Sequence, residues 1–351
     1  MTDVAVLILH PTPALGAGEI ERWVGDARAA LAEVHRRGFA AAGAADVTVA
    51  SGPPDGRPFG ERLRAFAAER GPGGLVVLGS GAIPLATSDD RRAFVAAARA
   101  DRPLALANNR YSADIVAVAG ASVLRNLPDL ATDNALPRWL AETAGYEVDD
   151  LRDDWRLGFD IDGPLDLALL GAATGLPTHP AGSLDRVRER LADVRSVALD
   201  PRAELAVAGR LSADGLAWLE RSTASRTRAL IEERGFRTRG AGQRATRSAL
   251  GMLLDRDGPA GLGAILAELG DAALVDSRVL LAHRFGAGER GWPGTEDRFS
   301  SDLLLPDRIA DPWLRALTAA AVEAPIPIVL GGHSLVGPGL RLALGRRRSW
   351  S

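Results

Sequence analysis

Val4-Ala5-Val6-Leu7-Ile8-Leu9, running into His10-Pro11-Thr12-Pro13 and then into Ile20, Trp23, Val24, Ala27, Leu31 and Val34, is the stretch from which the fold is read. The first six residues form an apolar run with the length of a buried strand. The two prolines break the chain, and the later apolar positions recur every three or four residues, which places them on one face of a helix. The result is a β-loop-α unit, and the alternation repeats. Strands are expected over 46–50, 75–78, 103–107, 115–119 and 155–159. Helices are expected over 89–98 with Ser88 as cap, over 136–144, over 165–172 with Pro164 in the first turn, and around Leu63, Phe66 and Ala67. Strands that alternate with helices make an α/β protein, three-layered, with a mostly parallel sheet covered on both faces.

Proline and glycine gather at 176–183, the expected boundary between a first domain over 1–176 and a second over 183–351. The second half reads as more helical but still α/β. Leu184, Val187, Leu191 and Val194 mark one amphipathic helix, and Ser212 caps a long one reaching about Arg234. Shorter helices are expected over 245–254 and 260–269. Strands return at 272–275, 279–282 and 326–330, the last feeding Gly331-Gly332-His333-Ser334 and a closing helix from Gly337.

Composition narrows the chemistry. The 351 residues are 46% hydrophobic and 25% charged, enough apolar material for a large core, and no apolar run is long enough to span a bilayer. The start Met1-Thr2-Asp3 lacks a basic region, so export is not expected and a cytoplasmic location is. There is no cysteine, which excludes disulfides, thiolate nucleophiles and cysteine-based metal sites. All 42 basic residues are arginine, so a phosphate-loop lysine, a Schiff base and an amine base are excluded as well. With a net charge of −3 and no basic stripe, neither a nucleic-acid nor a membrane partner is expected. The expected partner is a small phosphorylated or nucleotide molecule, and homo-oligomerisation is compatible with the sequence.

Three strings carry a family resemblance: Gly60-Glu61-Arg62-Leu63; Val76-Val77-Leu78-Gly79-Ser80 with nearby Pro84-Leu85; and Asp160-Ile161-Asp162-Gly163-Pro164-Leu165-Asp166-Leu167. Together with the order of elements over the first half, they resemble the molybdenum-cofactor guanylyltransferase and phospholactate guanylyltransferase type of nucleotidyltransferase, and related sugar transferases of the glycosyltransferase A fold. The resemblance implies that fold for 1–176 and a nucleotide, sugar-nucleotide or phosphorylated-metabolite ligand. It also implies nucleotidyl or glycosyl transfer with Mg²⁺ or Mn²⁺ held by carboxylates. Two departures stand against it. The segment His10 to Gly18 lacks the arginine and lysine of the family's phosphate loop, and Gly79-Ser80-Gly81-Ala82 lacks the acid of its Gly-Ser-Asp. The same fold with its chemistry lost, a small-molecule binding or regulatory protein, is the alternative.

The candidate residues follow. Asp160 and Asp162, two apart at a strand end, point to one side of an extended backbone and could share a metal; Asp162 could instead cap the helix after it. Asp162, Asp114 and His333 are the candidate catalytic groups. Ser80, Asn108, Asn109, Arg110 and Ser112 lie at strand ends where such relatives bind substrate, or else form a polar turn. Arg239, Arg244 and Arg247, around Gly240-Ala241-Gly242, offer guanidinium groups at a helix start, or else a solvated surface. Asp302, Gly331, Gly332 and Ser334 complete the set, the glycines as a phosphate-binding turn. His10, His283 and His333 are each either site residues or structural ones, and as site residues His283 and His333 could meet Asp276 or Asp302 across a cleft. A nucleophile elbow at Ser334 is rejected because no acid or histidine follows it. Residues 109–115 and 297–303 share a polar-Arg-aromatic-Ser-small-Asp-aliphatic pattern, a chance echo or a duplicated binding element.

Overall fold

A computed structural model describes residues 3–69, 73–171, 176–177, 184–234 and 245–345. The chain divides into two compact units, one of residues 1–16 and 25–161, the other of 17–24 and 162–351. No helix among the described residues is long and apolar enough to cross a membrane.

Unit 1 contains β1 (Val4–Pro11), most of α1 (Glu19–Ala41), β2 (Asp46–Gly52), α2 (Phe59–Glu69), β3 (Gly74–Gly79) and α3 (Ser88–Ala98). It continues with β4 (Leu104–Ala107), β5 (Ile115–Val118), α4 (Leu136–Glu142) and β6 (Glu147–Asp150). The sheet order is β2-β1-β3-β5-β4-β6, with β5 antiparallel to both neighbours and the other pairs parallel. Alternation along the strands builds three layers. Val4, Val6, Ile8, Val76 and Leu78 pack on Phe39 of α1 and Phe94 of α3. Leu7, Leu75 and Val77 face the opposite way, onto Phe59 and Leu63 of α2 and Leu136 and Leu140 of α4.

Unit 2 contains α5 (Pro164–Leu170), α6 (Asp185–Ala198), β7 (Glu204–Gly209), α7 (Ala213–Ser222), β8 (Arg226–Ile231), α8 (Ala249–Asp257), α9 (Leu262–Ala267) and β9 (Ala272–Asp276). After these come α10 (Ser277–Phe285), α11 (Thr295–Asp302), α12 (Pro312–Glu323), β10 (Ile328–Gly331), α13 (His333–Val336) and α14 (Leu340–Leu344). Its four strands are all parallel, in the order β10-β9-β7-β8. Ala206, Ala208, Ala273, Val275, Ile328 and Leu330 share a core with α8, α9, α10 and α12. The helix α6 packs across β7, β9 and β10. It is also tied by arginine: Arg186 donates to the Leu304 carbonyl and Arg195 to that of Ala343, both at 2.6 Å, and Arg190 donates to that of Val322.

The structure corrects several expectations. The long helix from Ser212 is only α7; Ser212 does cap it, accepting from the Gly215 amide, but Thr223 is already extended and 226–231 form the edge strand β8. Outward-facing Arg226 and Arg228 on that edge hide its strand pattern. The run 279–282 lies inside α10, started by the Asp276 side chain accepting from the Arg278 amide; burial on every side removes the periodicity that marks a helix. Residues 155–159 form turns, leaving one antiparallel bridge between Ala82 and Asp160. The edge strand β6 was not expected, since Glu147-Val148-Asp149-Asp150 carries almost no apolar signal. The cap of α3 is Thr87, one residue before Ser88. The echoing segments differ in conformation: 109–115 is a loop entering β5 and 297–303 lies mostly in α11, so no structural repeat underlies them.

Candidate functional site

In an open parallel sheet the crevice for a ligand lies at the carboxyl ends of the strands, where successive connections leave a central strand in opposite directions. In unit 1 that place is between β1 and β3, and in unit 2 between β7 and β9. Each is spanned by a bond between buried side chains.

In unit 1, His10 at the end of β1 and Ser80 after β3 meet at 3.0 Å between Nδ1 and Oγ. Burial, and then the charge of Arg28, holds the His10 pKa below the ordinary imidazole value. The Ser80 turn is held tightly. The Ser80 amide donates to the Leu9 carbonyl and the Ile161 amide to that of Gly81, while Arg28 Nε donates to the Ile161 carbonyl at 2.7 Å. His35 Nε2 donates to the Ala82 carbonyl at 2.8 Å. Ile83 closes the turn with φ of 42°, a left-handed conformation that costs a β-branched residue of order 1–3 kcal/mol and persists only where the surroundings over-determine it. Asp160 sits on this turn through its bridge to Ala82.

Asn108 closes β4 with every polar atom engaged. Its Nδ2 donates to Asp114 at 3.0 Å and to the Leu157 carbonyl at 2.9 Å, and its Oδ1 accepts from the Asp114 and Ile115 amides. Asn109 accepts from the Tyr111 amide, forming a local turn, and Ser112 is exposed. Arg110 lends its backbone amide to Asp150. Asp114 also lines a small pocket with Leu9, Phe59, Gly79 and Asp133. Unit 1 therefore brings together His10 with Ser80, and Asn108 with Asp114.

In unit 2, Arg210, directly after β7, grips Asp276, the last residue of β9, with Nε at 2.6 Å and an Nη at 3.0 Å. Gly209 sits between them with φ of 129°, and any Cβ there would overlap the Asp276 side chain, so close strand approach and backbone angle both require glycine. Burial pushes the Asp276 pKa up, but the charge and hydrogen bonds of Arg210 outweigh it, and the pKa is lowered overall; His333 and Arg278 act in the same direction. Arg278 then pairs with Asp302 through two bonds of 2.7 and 2.6 Å and donates to Ser277 Oγ, which donates to the Gly331 carbonyl. Against the cost of burial, Asp302 keeps the Arg278 guanidinium protonated, its pKa raised.

Asp166 joins this cluster from α5. The expected Asp162 cap is replaced: Gly163 stands at the cap position, and Asp166 Oδ2 reaches back to accept from the Asp162 and Gly163 amides at 2.8 and 2.7 Å. Burial, followed by the charge of exposed Asp162, raises the Asp166 pKa to about 7, and Asp302 adds to the effect. A Cβ on Gly163 would stand 3.2 Å from Asp302, and one on Gly331 would overlap Leu165, so α5, α11 and the end of β10 converge. His333 is exposed and Ser334 buried at the start of α13, with the His333 ring folded over Gly337. Leu304, two residues after Asp302, has φ of 57°.

Unit 2 thus gathers Asp162, Asp302, Gly331, Gly332, His333 and Ser334, together with Asp276, expected as a possible partner of His283 or His333, and adds Arg210, Arg278 and Asp166, for which the sequence reading gave no role in the site. Their signal is position: Arg210 and Asp276 end apolar strands, but misreading 279–282 as a strand hid that 276–278 is a strand-to-helix turn. His283 lies elsewhere, its Nδ1 accepting from the Ser248 amide and its Nε2 donating to Asp255. Arg239 and Arg244 lie outside the described residues, as do 178–183 of the expected boundary. Arg247 is exposed, its amide donating to Glu233. Among the described residues no three His, Asp or Glu side chains converge as a ready-made metal cage. No family model matches the chain, and no curated protein matches it either.

Proposed function

We propose that this chain binds a nucleotide, sugar nucleotide or other phosphorylated metabolite and acts in the class of nucleotidyl or glycosyl transfer. One observation carries the reading: at the carboxyl ends of the parallel strands of unit 2, the buried pairs Arg210–Asp276 and Arg278–Asp302 lie with buried Asp166, whose pKa is raised to about 7 by burial first and by the charge of exposed Asp162 second. Clustered charged groups with perturbed protonation at strand ends are a feature of functional sites. The mostly parallel sheet of unit 1 and the motif strings support the glycosyltransferase A-type reading of that unit.

The surplus of carboxylate beside exposed Asp162 fits a divalent cation that arrives with phosphates, since Mg²⁺ needs only one or two protein carboxylates and takes the rest of its ligands from phosphate and water. Asp162 would hold it. When bound, the ion would neutralise charge on the transferring phosphate. The chain's own groups do the rest: Arg278 fixes Asp302, Arg210 fixes Asp276, and exposed His333 beside Asp276 would contact a ligand hydroxyl.

The second reading, a binding protein without chemistry, is favoured by the saturation of Asn108, whose polar atoms are all spent on the protein itself. Thermal stability measured against nucleoside triphosphates, sugar nucleotides and phosphorylated metabolites, with and without Mg²⁺ or Mn²⁺, separates the two. A ligand at 100 times its Kd stabilises by about 2.7 kcal/mol. A shift that needs metal and disappears in Asp162→Ala supports transfer; a metal-independent shift supports binding alone, and no shift with any compound sinks both.

A further inference from the structure

The edge strand β8 presents an ordered row of backbone groups. The Arg226 amide donates to the Ala203 carbonyl and the Glu232 amide to that of Gly209, which fixes the direction of every peptide between them. Directions alternate along a strand, so Arg226, Arg228, Leu230 and Glu232 bond toward β7, while the N–H and C=O groups of Thr227, Ala229 and Ile231 point away from the sheet. Such a row is a template for another strand, and proteins commonly blunt it with charge. Here the arginines are drawn back toward β7. Arg226 lies 3.3 Å and Arg228 3.1 Å from Glu204, and Arg228 also donates to the Leu269 carbonyl at 2.8 Å.

Exposed apolar side chains mark the same edge. Among the described residues of unit 2, the large hydrophobic side chains that stand exposed are Leu199, Ile231 and Met252. Leu199 follows Ala198, whose carbonyl accepts from the Ala224 and Ser225 amides at the entry to β8. Ile231 ends the strand. Met252 lies in the first turn of α8, whose start is tied to Glu232 by bonds from Ser248 Oγ at 2.6 Å and the Ala249 amide at 2.5 Å. An antiparallel copy therefore brings the apolar residue at the entry of each β8 to those at the exit of the other.

We propose that two copies of this chain pair antiparallel through β8, about a two-fold axis at Ala229, and join their four-stranded sheets into one of eight strands. Ala229 then faces its own copy and Thr227 faces Ile231, each pair exchanging the outward N–H and C=O bonds. Between them Arg228 faces Leu230, and Arg226 faces Glu232 of the second copy, an opposite-charge pair made twice by symmetry. Moving the axis back to Arg228 or Thr227 sets arginine against arginine. Moving it on to Leu230 runs the pairing into Glu233, whose φ of 53° leaves the extended conformation. Charge and backbone thus select one register, independently of the transfer reading of the Asp162 cluster.

Sedimentation of the full chain over a range of concentrations tests this and is expected to show a monomer–dimer equilibrium. Arg226→Glu turns both charge pairs into repulsions and weakens the dimer about tenfold. The chain has no cysteine, so Ala229→Cys places a single thiol on the axis, and a short bismaleimide joins two chains through it. Val34→Cys, at an exposed site on α1, is the control and is not joined. Should Arg226→Glu fail to fold, the cross-link decides the register by itself. A chain that stays monomeric at every concentration overturns the proposal, as does a dimer that Ala229→Cys does not cross-link or one that a folded Arg226→Glu leaves unchanged.

Discussion

Arg210 and Asp276 are joined by two hydrogen bonds that bridge the carboxyl ends of β7 and β9, with both side chains almost wholly buried. A buried ion pair of this kind contributes little net stability over an apolar replacement, yet removing one partner strands the other charge away from water. Arg210→Met is expected to lower unfolding free energy by about 3–5 kcal/mol, and Arg210→Met with Asp276→Leu to recover part of that loss. Urea denaturation of the three variants checks this; equal losses in the single and double variants would contradict it.

Asp166 makes stability fall as pH rises. Its folded pKa, about 7, lies above the ordinary carboxylate value, so between about pH 4 and pH 7 the folded chain keeps a proton that the unfolded chain has released. A shift of this size corresponds to about 4 kcal/mol lost across that window. Asp166→Asn keeps an acceptor for the Asp162 and Gly163 amides and removes the titration. Its midpoint of thermal unfolding should exceed that of the wild type at pH 8 and match it near pH 4.

His35 acts in the opposite direction. Burial holds its pKa at about 4, with its Nε2 hydrogen bond to Ala82 opposing and the charge of Arg91 assisting, and its Nδ1 has no partner. Its contribution is present above about pH 6.5 and is lost as pH falls toward 4, by about 3 kcal/mol, because the unfolded chain takes up the proton first. Unfolding of His35→Gln should be less sensitive to acid over that window than unfolding of the wild type.

Asn108→Ala leaves the Asp114 amide and the Leu157 carbonyl without their side-chain partner. Each orphaned buried group costs about 1–3 kcal/mol, so a loss of about 2–4 kcal/mol is expected. Hydrogen exchange of the Asp114 and Ile115 amides should rise in the variant, localising the effect to the β4–β5 loop.

The layered α/β architecture is legible in the sequence because apolar runs such as Val4–Leu9 and Ala272–Val275 are short, uninterrupted and followed by turn residues. Edge elements are not, since β6 and β8 have little buried surface and their charged residues mask the alternation. The cluster in unit 2 is half legible. His333, Ser334 and the two glycines before them stand out as a turn after an apolar run, and Asp302 through its echo of Asp114. Arg210 and Arg278 do not stand out, because one guanidinium among 42 basic residues carries no signal until burial and a paired carboxylate single it out.

The arginines of α6, which hold the Leu304, Val322 and Ala343 carbonyls, belong to a chain without lysine, and this decides which reagents can reach its structural ties. Amine-directed cross-linkers and acylating labels find no side chain to modify, so surface conjugation by such chemistry leaves α6 untouched. Dicarbonyl reagents attack guanidinium groups, and partial burial makes Arg186, Arg190 and Arg195 slow to react while the helix stays docked. The rate of their modification is then a clock for the undocking of α6 from its sheet.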